Sequence, residues 1–137
     1  MNNKLLALLQ AASIAAILVA GSTPASARTG NWDAIAVDDT RGMRGGEAGY
    51  GVGTGTTEDT AKAEAMAACA KAGNDNCQVM LTYSPAQDAH HLCGAYASSR
   101  TKYGTGFGMT EAEARQNALT ACGNEGCQLT VSDCVGE

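Results

Sequence analysis

The feature that most constrains the fold of this chain is an internal repeat. Short motifs recur in the same order with only small changes in spacing. The matching motifs are Tyr50-Gly51 and Tyr103-Gly104, Thr57-Glu58 and Thr110-Glu111, Ala67-Ala68-Cys69 and Thr120-Ala121-Cys122, and Cys77-Gln78-Val79 and Cys127-Gln128-Leu129. A shared order with small length changes indicates two copies of one unit, covering about residues 32–84 and 93–134.

Each unit contains a stretch in which glycine alternates with larger residues. Glycine occupies positions 49, 51, 53 and 55 of the first unit and positions 104, 106 and 108 of the second. This alternation predicts a β-strand with one bare face. It matches neither common glycine-rich phosphate-binding motif, and no lysine stands at the start of the segment that follows. We therefore expect the bare face to serve close packing against a neighbouring element.

An alanine-rich helix follows each glycine strand. The first is predicted over residues 57–70, and the second begins at a predicted Thr110/Glu113 capping box and ends near Gly123. Helical spacing predicts the inward-facing residues of both helices. They are Ala61, Ala65, Ala68 and Cys69 in the first helix, and Ala114, Ala118, Ala121 and Cys122 in the second.

Short strands complete each unit, at residues 34–37 and 79–83 in the first and 93–98 and 128–132 in the second. The predicted order is β-β-α-β, twice. The fold class is therefore α+β: two pseudo-symmetric β-β-α-β repeats forming one small disulfide-bonded domain, with a mostly antiparallel sheet and two helices. Whether each unit forms its own sheet or both share one of about six strands is left open.

The segment from Met1 to Ala27 has the pattern of an export signal. Lys4 precedes an almost wholly apolar run from Leu5 to Ala20, and Ala25-Ser26-Ala27 is a small-x-small cleavage site. We predict cleavage near Ala27 and a periplasmic or secreted location. The remaining residues, 28–137, would form a single exported domain.

Six cysteines lie after the predicted signal, and an even count in an exported chain predicts three disulfides. The repeat narrows the 15 possible pairings. Cys69 and Cys122 occupy equivalent places near a helix end, and Cys77 and Cys127 occupy equivalent strand starts. The economical pairing is thus Cys69–Cys77 and Cys122–Cys127, with Cys93–Cys134 remaining.

Charge and residue types limit the classes of function. The chain carries a formal net charge of −5, and loss of Lys4 with the signal makes it −6. An acidic chain argues against nucleic-acid and anionic-membrane binding and suits a basic protein partner. Only two histidines are present, and no further ligand stands at metal-like spacing, so no metal or cofactor is predicted. The adjacent acids Asp38-Asp39 and Glu58-Asp59 leave a carboxylate hydrolase as the alternative.

Differences between the repeats supply the candidate binding residues, because duplicated features serve mostly as scaffold. The first unit carries an insertion of about eight residues, positions 40–47, where the second has the tight turn Arg100-Thr101-Lys102. This glycine-rich loop either binds a partner or is a tolerated insertion. A second candidate patch joins two tyrosines, Tyr83 and Tyr96, to the connector 85–91. The predicted partner-binding residues are Arg41, Met43, Arg44, Tyr83, His90 and His91.

Several of these motifs resemble a known family. Trp32-Asp33-Ala34-Ile35-Ala36, Ala67-Ala68-Cys69, Cys77-Gln78-Val79 and Cys93-Gly94-Ala95 are similar to motifs of the secreted bacterial domain-of-unknown-function family 4189. The likeness covers essentially all of the chain after the signal, and departs from the family at Asp33 and in the Arg41/Arg44 loop. It implies export and a small disulfide-bonded domain. Relatives that lack the Cys122 and Cys127 equivalents support their pairing. The resemblance implies no activity.

The sequence therefore favours a non-catalytic, exported interaction domain. One version is an inhibitor whose acidic surface meets a basic enzyme, such as a lysozyme-like hydrolase. The alternative is a small cell-wall or polysaccharide hydrolase that uses carboxylates or a Ser/His pair. A structural role in the envelope is a third hypothesis, and the oligomeric state is open.

We predict that the exported protein begins at Arg28 and contains no free thiol. Intact mass spectrometry under non-reducing conditions, after thiol alkylation, should give the mass of residues 28–137 less six hydrogens. A retained leader or an alkylated cysteine would contradict this prediction.

Overall fold

The computed structural model describes residues 31–40, 48–123 and 125–136, so the predicted signal peptide lies outside the described residues. The first unit comprises β1 (Trp32–Asp38), β2 (Gly49–Gly55), α1 (Glu58–Lys71) and β3 (Gln78–Tyr83). The second comprises β4 (Cys93–Ser98), β5 (Tyr103–Gly108), α2 (Glu111–Cys122) and β6 (Gln128–Cys134). The predicted β-β-α-β order, repeated twice, is confirmed.

Each unit builds its own three-stranded antiparallel sheet, which answers the question that the sequence left open. The strand orders are β2-β1-β3 and β5-β4-β6, so the first strand of each unit is central. The pairing of each central strand with the last strand of its unit shifts register once. The shifts fall between Ile35 and Ala36 in β1 and between Tyr96 and Ala97 in β4. The two units therefore correspond down to an irregularity of the backbone.

Side chains alternate along each central strand between a helix and the opposite sheet. Ala34 and Ala36 pack against α1, whereas Ile35 and Val37 enter a cluster shared with the second sheet. In β4, Ala95 and Ala97 pack against α2, and Tyr96 enters the shared cluster. The result is a four-layer sandwich of helix, sheet, sheet and helix.

The glycines of β2 and β5 allow each helix to lie directly on strand backbone. A Cβ atom at Gly53 would overlap the backbone nitrogen of Ala65, and one at Gly51 would overlap that of Cys69. Gly106 stands in the same relation to Ala118. The close-packing interpretation of the alternating glycines is therefore confirmed.

The buried stripe of each helix is narrower than predicted. Ala61, Ala65 and Cys69 are fully buried, and the equivalent residues Ala114, Ala118 and Cys122 are buried in α2. The prediction for Ala121 is wrong because this side chain is exposed, and Ala68 is only half-buried. A helix that lies on a row of glycines is contacted by residues four positions apart, and their neighbours rotate away from the strand.

The helix caps differ between the units. In α1, Thr57 and Thr60 form a complete reciprocal capping box. In α2, the Thr110 hydroxyl accepts from the Glu113 backbone N–H at 3.2 Å, as predicted. The Glu113 carboxylate, however, accepts from the Met109 N–H at 2.9 Å and not from Thr110. Gly123 ends the helix with a positive φ of 108°, a conformation that favours glycine.

The three disulfides have the predicted pairing. Cys69–Cys77 and Cys122–Cys127 each tie the end of a helix to the start of the strand that follows. Cys93–Cys134 joins directly opposed residues of β4 and β6. The described residues include no free cysteine.

We expect Gly53→Ala and Gly106→Ala each to lower the free energy of unfolding by about 1–3 kcal/mol, because the added methyl group displaces the helix. The reduced entropy of the unfolded chain offsets only about 0.4–1 kcal/mol of this loss. Urea denaturation measures the difference. Thr56→Ala, at an exposed position beyond the end of β2, is the control and should change little. Wild-type stability in both glycine variants would refute the backbone contact.

Reduction of the disulfides should abolish the cooperative thermal transition. Loss of a native disulfide from a small exported domain costs about 2–5 kcal/mol, and the net stability of such a domain is about 5–15 kcal/mol. Circular dichroism melts with and without reductant test this expectation. An unchanged melt of the fully reduced protein, with all six thiols verified as free, would contradict it.

Candidate functional site

A polar pocket of about 310 Å³ lies at the end of the sandwich where β1 ends and the β4–β5 turn begins. Both units contribute to it. The lining residues are Asp39 and Ala48 from the first unit, and Tyr96, Ser98, the turn 99–102 and Tyr103 from the second. The pocket is therefore a product of the packing of one repeat against the other.

The β4–β5 turn is held rigidly by its own hydrogen bonds. The Ser99 N–H donates to the Lys102 carbonyl at 2.8 Å, and the Ser99 hydroxyl accepts from the Lys102 N–H at 3.1 Å. Ser98 is buried beneath the turn, with its hydroxyl 3.1 Å from that of Thr130. Arg100 and Lys102 consequently project from an ordered turn into solvent beside the pocket.

Tyr96 is the buried polar group of the pocket. Its side chain is completely buried, and its hydroxyl has no hydrogen-bond partner among the described residues. Burial raises the pKa of Tyr96 to about 12, with smaller contributions from the nearby Asp39 carboxylate and from Tyr103. The ring of Tyr103 stacks on that of Tyr96 at 5.8 Å and remains 57% exposed.

Asp38 anchors a loop, although its neighbour Asp39 lines the pocket. The buried Asp38 carboxylate accepts from the Asp75 and Asn76 N–H groups at 3.1 and 3.0 Å and from the N–H and hydroxyl of Thr40. The Thr40 hydroxyl, then the Asn76 N–H, hold the pKa of Asp38 below its ordinary value. The structure therefore assigns this carboxylate to the link between β1 and the α1–β3 loop.

The second pair of adjacent acids lies at the start of α1, away from the pocket. Glu58 contacts Lys62 at 2.6 Å and accepts from the Thr82 hydroxyl at 3.2 Å. Lys62, first by hydrogen bonding, lowers the pKa of Glu58. In the second unit, Glu111 accepts from the Ser132 hydroxyl in the same way. This repetition indicates a scaffold role for Glu58.

Tyr83 is a core residue and not part of a binding surface. It is completely buried, its ring lies where a Cβ at Gly94 would stand, and its hydroxyl donates to Asp133 at 2.9 Å. The prediction that Tyr83 contacts a partner is therefore corrected. The sequence does not reveal this burial, because Tyr83 ends a strand and no local pattern shows which strand of the opposite sheet packs against it.

The two histidines lie in a turn and make different contacts. The His90 side chain is exposed, and its backbone N–H donates to the Asp88 carboxylate at 2.9 Å. His91 stacks on Phe107 with ring centroids 4.4 Å apart, and its Nε2 lies 3.8 Å from Asp88. No serine or threonine hydroxyl in the described part of the chain is hydrogen-bonded to either ring.

The remaining predicted binding residues, Arg41, Met43 and Arg44, lie outside the described residues. Within the described ranges, no group of three or more His, Cys, Asp or Glu side chains could hold a metal ion. The sequence named Asp39 and Tyr96 in separate candidate groups, and it did not predict that they meet Arg100, Lys102 and Tyr103 at one pocket. The signal that could have found them is the repeat itself, because equivalent strand connections of pseudo-symmetric units can meet at one end.

These features define a class: a small, disulfide-bonded domain of two β-β-α-β units with a polar pocket at their junction. The family model described as Domain of unknown function (DUF4189) matches residues 32–134, and the chain belongs to this family. Comparisons with curated proteins and with solved structures found no match. None of the helices in the described ranges is long and apolar enough to span a membrane.

We expect Asp38→Asn to lower the thermal midpoint at neutral pH, because an amide nitrogen cannot accept the loop N–H bonds. Since the folded pKa of Asp38 is lowered, its stabilisation is present above the unfolded value of 3.8 and is lost as pH falls through the lower folded pKa. The difference in thermal midpoint between the wild type and Asp38→Asn should thus become smaller in acid. Melts at neutral pH and below pH 3.8 measure it.

The exposed Glu64→Gln variant is the control for this pH series. A gap between Asp38→Asn and wild type that stays constant or widens in acid would show that the Asp38 charge does not stabilise the loop.

Proposed function

We propose that this protein is an exported, non-catalytic binding domain whose ligand occupies the pocket at the junction of the two repeats. The observation that carries the proposal is the Tyr96 hydroxyl, which is buried at this pocket without a protein partner among the described residues. Buried polar groups are almost always hydrogen-bonded, and leaving one unpaired costs stability. A ligand with a suitable polar atom would remove that cost.

The surroundings of Tyr96 support binding. The exposed ring of Tyr103 offers an aromatic face at the mouth, and aromatic and arginine side chains are the ones that most often dominate recognition. Arg100 belongs to the adjoining turn, whose own hydrogen bonds fix its backbone. A site built on an ordered turn loses little entropy when a ligand binds.

The same residues argue against catalysis at this pocket. A general acid or base works best when its pKa lies near the operating pH, whereas the pKa of Tyr96 is raised to about 12. No histidine or cysteine is among the pocket-lining residues of the described chain. Asp38 and Glu58 are also poor candidates for the carboxylates of a hydrolase. Both are already engaged in contacts that hold the scaffold together.

Export is part of the proposal and is supported by two independent features. The amino-terminal segment through Ala27 has the pattern of a cleaved signal, and the rest of the chain carries three disulfides. Disulfides of this kind persist in the periplasm and outside the cell, where thiols are not kept reduced.

To test pocket binding, the exported protein would be labelled with ¹⁵N and screened by NMR against mixtures of small polar molecules. We expect saturable shifts at the amides of the 99–102 turn and Tyr103, with no chemical change in the ligand. The proposal would be overturned if the molecules that bind shift only the amide signals of residues remote from the pocket, or if the protein hydrolyses them.

A second candidate function, inhibition of a basic enzyme, is favoured by the net charge of −5. An excess of the protein should then slow a basic muramidase at low ionic strength, and added salt should restore the rate because it screens surface charges. Turbidity assays on cell walls measure this. Equal muramidase rates with and without the protein at low salt would remove this candidate.

A further inference from the structure

We propose that the pocket binds a small zwitterion, an α-amino acid or a dipeptide. Its ammonium group would face Asp39, and its carboxylate would face Arg100, Lys102 and the Tyr96 hydroxyl. This inference rests on the proposed binding function and names the chemistry of the ligand.

Charges of opposite sign line the pocket from opposite repeats. Asp39 follows the central strand of the first sheet, and Arg100 follows that of the second, at equivalent positions counted from the register shift of each sheet. The ion pairs among the described residues join Lys62 to Glu58, His91 to Asp88 and Arg115 to Glu111, so none lies in the pocket. Asp39 and Arg100 thus offer two separate charges to a ligand.

A ligand with one charge would leave part of the pocket unmatched. A simple anion would pair with Arg100 and Lys102 but would lie near the Asp39 carboxylate. A simple cation would pair with Asp39 but would meet the two basic side chains. Because a ligand charge is attracted by the side chain of opposite sign and repelled by that of like sign, a ligand with both signs fits best.

The buried phenol strengthens the assignment of the carboxylate end. Tyr96 lines the pocket, is completely buried, and has a hydroxyl that lacks a partner among the described residues. Hydrogen bonds to an ionised acceptor are stronger than those between neutral groups. A carboxylate that reaches both the Arg100 side chain and this hydroxyl would satisfy the group that the protein leaves unsatisfied.

The volume limits the ligand to a small molecule. At about 310 Å³, the pocket is at the lower end of the range of small-molecule sites, about 300–1,000 Å³. This size suits an amino acid or a dipeptide. The exposed Tyr103 ring stands beside the pocket and can cover an apolar side chain of the ligand.

The experiment is an NMR titration of the ¹⁵N-labelled exported protein at low salt with four probes. L-alanine and L-alanyl-L-alanine carry both charges, whereas propionate carries only the carboxylate and ethylamine only the ammonium group. We expect saturable shifts at the 99–102 turn with a zwitterion, and at least about tenfold weaker binding of both single-charge probes. Tighter binding of alanine identifies a free amino acid, and tighter binding of L-alanyl-L-alanine identifies a dipeptide.

Charge variants give opposite results with the single-charge probes. Asp39→Asn should weaken alanine binding by about tenfold and strengthen propionate binding. Arg100→Gln should weaken alanine binding similarly and strengthen ethylamine binding. The control is Arg115→Gln on α2, whose partner is Glu111, and it should bind every probe as wild type does.

Tyr96→Phe separates ligand binding from folding. It removes a hydroxyl that has no partner in the described structure, so the thermal midpoint should hold or rise while alanine binding weakens about tenfold. Unchanged alanine binding in this variant would overturn the role given to Tyr96.

The outcomes distinguish this inference from the proposed function. Propionate or ethylamine binding as tightly as alanine would overturn the zwitterion and leave pocket binding intact. The zwitterion would likewise be overturned, and pocket binding kept, if none of the four probes shifts the amide signals at the pocket but other small molecules do. If neither the probes nor the broader screen shifts the pocket, both proposals fail.

Discussion

The structure depends on one contact made twice, the approach of a helix backbone to a strand without side chains. At Gly53 and Gly106 there is no room for a Cβ beside the helix. The buried residues of the outer layers are therefore alanines and half-cystines, and larger side chains such as Trp32 and Leu119 pack around them only partly buried. Such layers bury little apolar surface per residue, which explains why disulfides tie each helix to the next strand.

The large side chains are concentrated between the two sheets, and this central layer holds the units together. Ile35 and Leu81 from the first sheet meet Tyr96 and Val131 from the second. Stacking two copies face to face brings equivalent strand connections to one end. The scaffold is repeated, but the pocket at that end is built from residues that differ between the copies, such as Asp39 and Arg100.

Much of the fold was predictable because its signals are local. Glycine alternation, helix caps and paired cysteine positions lie within each repeat, and they located every strand and helix close to its observed bounds. The packing of one sheet on the other was not predictable, since no local pattern specifies which strands face each other. For this reason Tyr83 was assigned to a surface although it is buried, and the meeting of Asp39 with Lys102 at one pocket was not predicted.

The most direct test of the central contact is a nuclear Overhauser measurement on the folded protein. The glycine α-protons that point at the helices should give strong cross-peaks to backbone amides, from Gly53 to Ala65 and from Gly106 to Ala118. Both cross-peaks are predicted, because the repeats pack alike. Their absence, with cross-peaks from the helices to the side chains of Val52 or Phe107 instead, would show that the helices lie on the other face and would contradict the account.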